Sequence, residues 1–317
     1  MEKEVKKFID FIITQKCTYS CPYCSQSKSK LKEPKNANKK TINSFYNFLK
    51  TLDRNYEITI TGGEAILHPD FFGIIKTIKE LGFKLNLITN LSFNIETYKK
   101  IFDILKDNLN RFDISFHLEV IKDFDSTYKK AELFLQNKPQ NTKVTFFIPL
   151  FLINQSKEEK IEKLISLANR YNIQYSFQKI RFLNSYKKEN TPNSNKYTSS
   201  HSMINSYSKI CHAGFNSAVI YEDGNVYRCY SSRFLKTNFL GNINNKFLKL
   251  NDKAQACPKN CCTCPKPSKY NQITNKKDKK SALKQKITNA IFLPLMLVKN
   301  RNIVLEKLKH YLDLSKS

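Results

Sequence analysis

Residues 8–24 read Phe8-Ile9-Asp10-Phe11-Ile12-Ile13-Thr14-Gln15-Lys16-Cys17-Thr18-Tyr19-Ser20-Cys21-Pro22-Tyr23-Cys24. Phe8–Thr14 is a short apolar run of strand type, and three cysteines follow it at once with the spacing C-x3-C-x2-C. Further strand-like runs lie at Glu57–Thr61, Phe83–Thr89, Phe112–His117, Lys143–Leu150 and Ile173–Gln178, each bounded by polar or turn residues. Longer amphipathic stretches separate them. Asp70–Leu81 sets Phe71, Phe72, Ile74, Ile75, Ile78 and Leu81 on one helical face and stops at Gly82. Lys157–Tyr171 does the same with Ile161, Leu164, Ile165 and Leu167. Strands alternating with helices in this way predict an α/β fold with a parallel sheet and right-handed crossovers, either doubly wound or a barrel. In both, ligands gather at the carboxyl ends of the strands, where these cysteines stand.

The chain has 317 residues, enough for one large domain or one large and one small. A hydrophobic content of 40%, with 23 Phe and 16 Tyr, excludes a disordered or collagen-like chain. Charges fill Met1-Glu2-Lys3-Glu4-Val5-Lys6-Lys7 ahead of the first strand, so no signal peptide is expected there and a cytoplasmic location is. Nine cysteines, an odd count, in a reducing compartment point to metal binding rather than a set of disulphides. The formal charge of +27 invites nucleic acid, yet only seven of the 54 basic residues are arginine. Guanidinium forks that read phosphate are therefore scarce, and no specific nucleic-acid partner is expected. Attraction to anionic substrates or membrane surfaces stays open.

Three thiolates on one loop can hold three irons of a cubane cluster. The fourth iron is then left open to a small chelating molecule, for which the amino and carboxylate groups of an amino acid are well suited. Zinc competes, but its structural sites want four ligands, typically in closely spaced pairs. Three merely structural thiols are the third reading. The loop, with Tyr23 at its aromatic position, resembles the signature of the radical S-adenosylmethionine superfamily. The second strand ends in Thr61-Gly62-Gly63-Glu64, similar to that family's Gly-Gly-Glu motif and about 40 residues beyond the cysteines. Two glycines alone would be a tight turn; here Gly62 and Gly63 let backbone approach a ligand, and Glu64 or a nearby carbonyl can accept from an ammonium.

The resemblance implies a [4Fe–4S] cluster on Cys17, Cys21 and Cys24 that binds S-adenosylmethionine, with the methionine amino group held by residues 62–64. It implies that Ser115, near the end of strand four, contacts the ribose, and that Tyr23 and Asn90 belong to the cofactor pocket. It also implies a partial (β/α)6 TIM-like barrel, here residues 1–182, and a reductant such as flavodoxin or ferredoxin. Many relatives carry Asp-Gly after the strand-four serine and a downstream arginine for the cofactor carboxylate. This chain has Phe116-His117-Leu118-Glu119 and no arginine in the following helix. His117, Glu119 and Lys129 are the candidates for that role, and a packed, hydrogen-bonded His117 is the alternative.

Residues 183–210 are polar and read as a linker. Cysteines return at Cys211, Cys229, Cys257, Cys261, Cys262 and Cys264 in a small unit, residues 211–265. Between the first two, Asp223-Gly224 joins two strand-like runs and predicts a hairpin. The set resembles the SPASM and twitch auxiliary-cluster domains of the same superfamily, with the later cysteines compressed and a last one absent. One auxiliary [4Fe–4S] cluster is expected, on Cys211, Cys229, Cys257 and one of the later thiols (Cys261 or Cys264 in preference), with a zinc site as the alternative. A spare thiol could give a hydrogen atom to a substrate radical, and Cys262 is the candidate because its neighbours are better spaced as ligands. The competing reading is a structural neighbour or alternative ligand. Residues 266–317 form a basic linker and a C-terminal amphipathic helix, docked on the domain or making peripheral membrane contact. The expected substrate is a peptide or a sugar-type metabolite, for oxidation or epimerisation. The chain opens on its first strand, which counts against an N-terminal peptide-recognition domain. A non-catalytic iron–sulphur or zinc electron-transfer protein is the reading from another class.

Overall fold

The computed structural model describes residues 7–24, 33–151, 154–179, 204–205, 209–234, 238–245, 248, 250–256, 261–262 and 273–277. It divides into two compact units, one of residues 4–202 with 213–252 and one of residues 1–3, 203–212 and 253–317.

In the larger unit the chain alternates β1 (Lys7–Thr14), α1 (Lys39–Lys50), β2 (Tyr56–Gly62), α2 (Phe71–Glu80), β3 (Lys84–Thr89), α3 (Ile95–Leu105), β4 (Leu109–Ser115), α4 (Phe124–Asn137), β5 (Lys143–Leu150), α5 (Gln155–Arg170) and β6 (Gln174–Lys179). Four of the helices open on a side-chain cap: Asn38, Asn94, Asp123 and Asn154 each accept the backbone N–H three residues on. Each such cap is worth roughly 1 kcal/mol, so the asparagine-rich composition has a direct structural use. Helix α1 carries no number in the sequence reading, although Thr41, Ile42, Phe45 and Leu49 give it a buried stripe. Strand β4 begins three residues earlier than Phe112 and ends two earlier than His117. Two of its first three residues, Asn110 and Arg111, are polar, but the backbone ladder needs no apolar side chain. At its end His117 turns the chain, its carbonyl accepting from Val120 and Ile121.

Strands β1 to β6 pair in parallel and in sequence order. A doubly wound sheet reverses direction at a switch point; this one does not. Sequential right-handed crossovers put every helix on one face, and successive helices do pack in order from α1 to α5. The result is an open partial barrel, in which β1 and β6 lie far apart in the sheet.

The two faces of this sheet differ in chemistry. Ile9, Phe11, Ile13, Ile58, Ile60, Leu85, Leu87, Phe112, Ile114, Val144, Phe146 and Ile148 belong to the main core, against the helices. The alternate positions are mostly polar, with Phe8, Ile12, Ile88 and Phe147 as exceptions: Asp10, Thr59, Asn86 and Arg111 stand in register across four strands, all buried. Period-two alternation thus gives the barrel an apolar outside and a polar inside.

Downstream strands are β7 (Ile204–Asn205), β8 (Lys209–Cys211), β9 (Ser217–Ile220), β10 (Asn225–Tyr227), β11 (Phe239–Asn242), β12 (Gln255–Ala256), β13 (Cys261–Cys262) and β14 (Ile273–Lys277). Strand β9 pairs in parallel with β1 and extends the sheet through the antiparallel β10 and β11. The expected hairpin at Asp223-Gly224 is present, with Gly224 at φ +82°, a conformation that favours glycine. In the smaller unit β12, β8 and β14 form one sheet and β13 pairs with β7. Parts of both stretches read as carrying linkers are therefore strand: β7 and most of β8 within 183–210, and β14 within 266–317. Beyond β14, the stretch expected to carry the C-terminal amphipathic helix lies outside the described residues.

Candidate functional site

The cysteine loop leaves the carboxyl end of β1 and is held from below by the turn after β2. Gly63 donates its N–H to the Thr14 carbonyl at 2.9 Å, and Glu64 donates to the Lys16 carbonyl at 2.7 Å. A Cβ at Gly62 would overlap the Thr14 carbonyl oxygen, and one at Gly63 the carbonyl of Lys16. The two glycines are therefore required by this chain's own backbone, whereas the sequence reading assigned them to a ligand's approach.

Glu64 is wholly buried, and its carboxylate turns inward. It accepts from the Thr89 hydroxyl at 3.0 and 3.1 Å and from the Asn90 N–H at 2.7 Å. Burial pushes its carboxyl up to about 7, against the opposing pull of the Asn90, Thr89 and Ile66 donors. Tyr98, from α3, places its hydroxyl 3.2 Å from that of Thr89 and packs edge-on against Phe112 and Phe134. Asn90, at the end of β3, reaches the cysteine loop with its side chain. Its amide donates to Thr18 Oγ1 at 2.9 Å and to Cys17 Sγ at 3.5 Å, while its carbonyl accepts from the Ser92 N–H at 3.1 Å. The Tyr19 N–H also points at Cys17 Sγ, at 3.4 Å.

The far end of the loop is anchored by Tyr23. Its hydroxyl stands 2.8 Å from His117 Nδ1 and donates to Glu119 Oε2 at 3.0 Å. With the Tyr23 proton directed at Glu119, His117 carries its own proton on Nδ1 and donates it to the tyrosine oxygen. Burial holds the His117 imidazole down to about 4, so it is neutral near pH 7. Glu119 in turn faces Lys157 at 3.6 Å, and Lys157 donates to the Phe151 carbonyl at 3.1 Å. Cys21, Tyr23 and Phe151 pack as a small cluster of their own, with Tyr19, Cys24 and Val120 against it. His117 and Glu119, two of the three candidates for the missing arginine's role, are thus the partners of Tyr23. Lys129 is exposed on α4.

The three thiols feel one another. Burial, then the charge of Cys24 and of Cys17, push Cys21 up to about 12; Cys17 is raised by burial, and by Glu64 and Cys24, against the Tyr19 and Asn90 donors. Among the described residues no three His, Cys, Asp or Glu side chains are arranged for a single metal ion. A polynuclear cluster takes one thiolate at each of several irons and does not need them to converge. Three neighbouring sulphurs, one of them already facing N–H donors, fit that kind of group.

Two further residues tie the loop to the hairpin and gave no signal in the sequence. Gln15 donates its side-chain amide to Glu222, a buried carboxylate that also takes Arg233 at 3.2 Å. Arg233 lies over the Tyr221 ring, 3.9 Å from its centre. The site thus gathers Cys17, Cys21, Cys24, Tyr23, Gly62, Gly63, Glu64 and Asn90. Ser115, half-buried, closes β4 at the same end of the sheet. Cys229 follows β10 in the larger unit, and Cys211 ends β8, buried, in the smaller. Cys261 and Cys262 form β13; Cys257 and Cys264 lie outside the described residues.

Residues 11–118 match the family model described as the Radical SAM superfamily. Over 85 residues the chain is 35% identical to the S-adenosylmethionine-dependent nucleotide dehydratase of Selenomonas ruminantium, an alignment covering 26% of this chain and 29% of that protein. Among solved structures it resembles Streptococcus suis SuiB bound to precursor peptide SuiA, at 15% identity and a TM-score of 0.55, covering 76% of this chain and 63% of that one. It also resembles anSMEcpe with bound AdoMet and Cp18Cys peptide, at 15% identity and a TM-score of 0.51, covering 76% and 78%. The chain thus spans less than a third of its curated relative and under two thirds of SuiB. At these identities the structural likenesses concern the fold, and they agree with the partial barrel. Among the described residues no helix is long and apolar enough to cross a membrane.

Proposed function

We propose that this chain is a radical S-adenosylmethionine enzyme whose cluster is held by Cys17, Cys21 and Cys24. The observation that carries the reading is the direct bonding of the Gly62-Gly63-Glu64 turn onto the cysteine loop, inside the segment that matches the family. When bound, the [4Fe–4S] cluster supplies the electron that splits S-adenosylmethionine into methionine and a 5′-deoxyadenosyl radical, which takes hydrogen from the substrate. The protein's share is orientation. The turn after β2 and the Asn90 amide hold the first cysteine, and Tyr23 holds the last two, by its hydroxyl to the residues after β4 and by its ring to Phe151 after β5. Glu64 serves that scaffold with its carboxylate, so the acceptors left for a cofactor ammonium are backbone carbonyls of the same turn. Tyr23, Asn90 and Ser115 are proposed to line the cofactor's side of the pocket.

The substrate is proposed to be a polar molecule, a peptide or a sugar-type metabolite. The polar inner face of the sheet supports this, and the peptide-bound structural relatives point the same way. Dehydration of a nucleotide is a second reading, favoured by the likeness to the Selenomonas ruminantium enzyme. An auxiliary [4Fe–4S] cluster on Cys211, Cys229, Cys257 and Cys261 or Cys264, a hydrogen-donating Cys262 and a flavodoxin or ferredoxin reductant complete the proposal. Chemically reduced, reconstituted protein should form 5′-deoxyadenosine from S-adenosylmethionine, and Cys24→Ala should not. Iron-replete, reduced protein that neither binds nor cleaves the cofactor would leave the electron-transfer reading standing. Product lighter by water, lighter by two hydrogens, or unchanged in composition but made heavier by deuterium taken from deuterated solvent would separate dehydration, oxidation and epimerisation.

A further inference from the structure

Cys17, the first of the three cysteines, sits among hydrogen-bond donors. Two N–H groups face its sulphur, the backbone of Tyr19 at 3.4 Å and the side-chain amide of Asn90 at 3.5 Å. Asn90 is buried and has no freedom to turn away. Its backbone N–H is spent on Glu64, its carbonyl accepts from Ser92, and its second amide hydrogen goes to Thr18. With its backbone N–H and its other side-chain groups engaged, the remaining amide hydrogen is directed at Cys17 Sγ.

We infer that Asn90 is the residue that tunes the cluster's reduction potential through this N–H···S bond, besides steadying the loop. The inference rests on the proposed ligation of a cluster by Cys17. Reduction adds negative charge that is shared with the ligating sulphurs. An N–H dipole aimed at one of them stabilises the reduced form and raises the potential, as hydrogen bonds to cluster sulphurs do generally. The effect is strongest in a buried setting, where water does not screen it.

Asn90→Ala removes the dipole. Asn90→Asp keeps the backbone bond to Glu64 and the acceptor for Ser92, but replaces the donor by a carboxylate oxygen. In reconstituted protein, an EPR-monitored redox titration of the Cys17–Cys21–Cys24 cluster should show a more negative midpoint for both, with Asp lower than Ala. Thr18→Val removes the other anchor of the amide while leaving the sulphur its donor, and should leave the midpoint in place. Iron content is read alongside. A full complement of iron with an unmoved midpoint in both Asn90 variants would overturn the inference. Loss of the cluster in both would assign Asn90 to holding the loop alone, and would overturn it too. Failure of the parent protein to assemble any cluster on these three cysteines is a different result, and it would remove the reading beneath.

Discussion

Glu64 donates its backbone N–H to the carbonyl of Lys16 across 2.7 Å, so the turn after β2 and the loop after β1 are bonded into one piece. From the sequence, a bulky residue at position 63 is expected to weaken cofactor binding while sparing the iron. The geometry predicts otherwise. A side chain at Gly63 must displace Lys16, one residue from Cys17. Gly63→Val should lose iron as well as cofactor affinity, and should destabilise the fold by about 1–3 kcal/mol, the usual cost of forcing atoms into packed space. Iron content after reconstitution, with a denaturation midpoint measured beside it, checks this. A variant with its full iron complement would return the glycines to a ligand-facing role.

The anchor at the other end of the loop makes a separate prediction. Tyr23→Phe keeps the ring packed on Phe151 but removes the hydroxyl shared by His117 and Glu119. Two largely buried polar groups then lose a partner, at about 1–3 kcal/mol. Urea denaturation of the apo-protein should register that loss. Combining Tyr23→Phe with Glu119→Ala should cost clearly less than the sum of the two single changes, because both remove the same bond. Simple additivity would mean that the hydroxyl does not bridge these groups in solution.

Much of this was legible beforehand, and the reasons divide cleanly. Strand β5 matches its sequence reading end for end, because Val144, Phe146 and Ile148 alternate against polar flanks. The cysteine spacing and the Gly-Gly-Glu turn pointed to one candidate site, since those residue types have few other uses in that order, and the turn is indeed bonded onto the loop. The glycines' reason was not legible, because it depends on which backbone lies opposite. Nor were the roles of His117 and Glu119: a histidine and a glutamate after a strand end read equally well as ligand-binding or as packing. Only the 2.8 and 3.0 Å approaches of the Tyr23 hydroxyl distinguish the two. The tie between Gln15 and Glu222 spans 207 positions and has no local signature.

Metal content tests the ligand sets directly. Protein reconstituted without oxygen should bind about eight irons, four for each of two cubanes, and negligible zinc. Replacing Cys17, Cys21 and Cys24 together by alanine should remove about four. A triple variant that keeps all its iron would show that the first cluster lies elsewhere. Zinc at the later cysteines, with about four irons in the parent protein, would replace the auxiliary cluster by a structural site while leaving the first intact.

Glu64 makes stability depend on pH in an unusual direction. Burial holds its carboxyl up to about 7 in the folded chain, against an ordinary value of 4.5. Between those values the folded protein keeps a proton that the unfolded chain has released, so the folded state binds more protons. Stability from this group is therefore fully present below about pH 4.5 and is lost as pH rises through 7. The whole excursion is on the order of 3 kcal/mol. Glu64→Gln removes the titrating group while leaving an oxygen for the Asn90 N–H. Urea unfolding of the apo-proteins at pH 5 and pH 8 isolates the effect as a difference of differences. The parent should lose more stability than the variant on going from the lower pH to the higher, with the gap opening as Glu64 ionises. Equal losses would mean that the Asn90, Thr89 and Ile66 donors outweigh burial, and that Glu64 is already a carboxylate in the acid range.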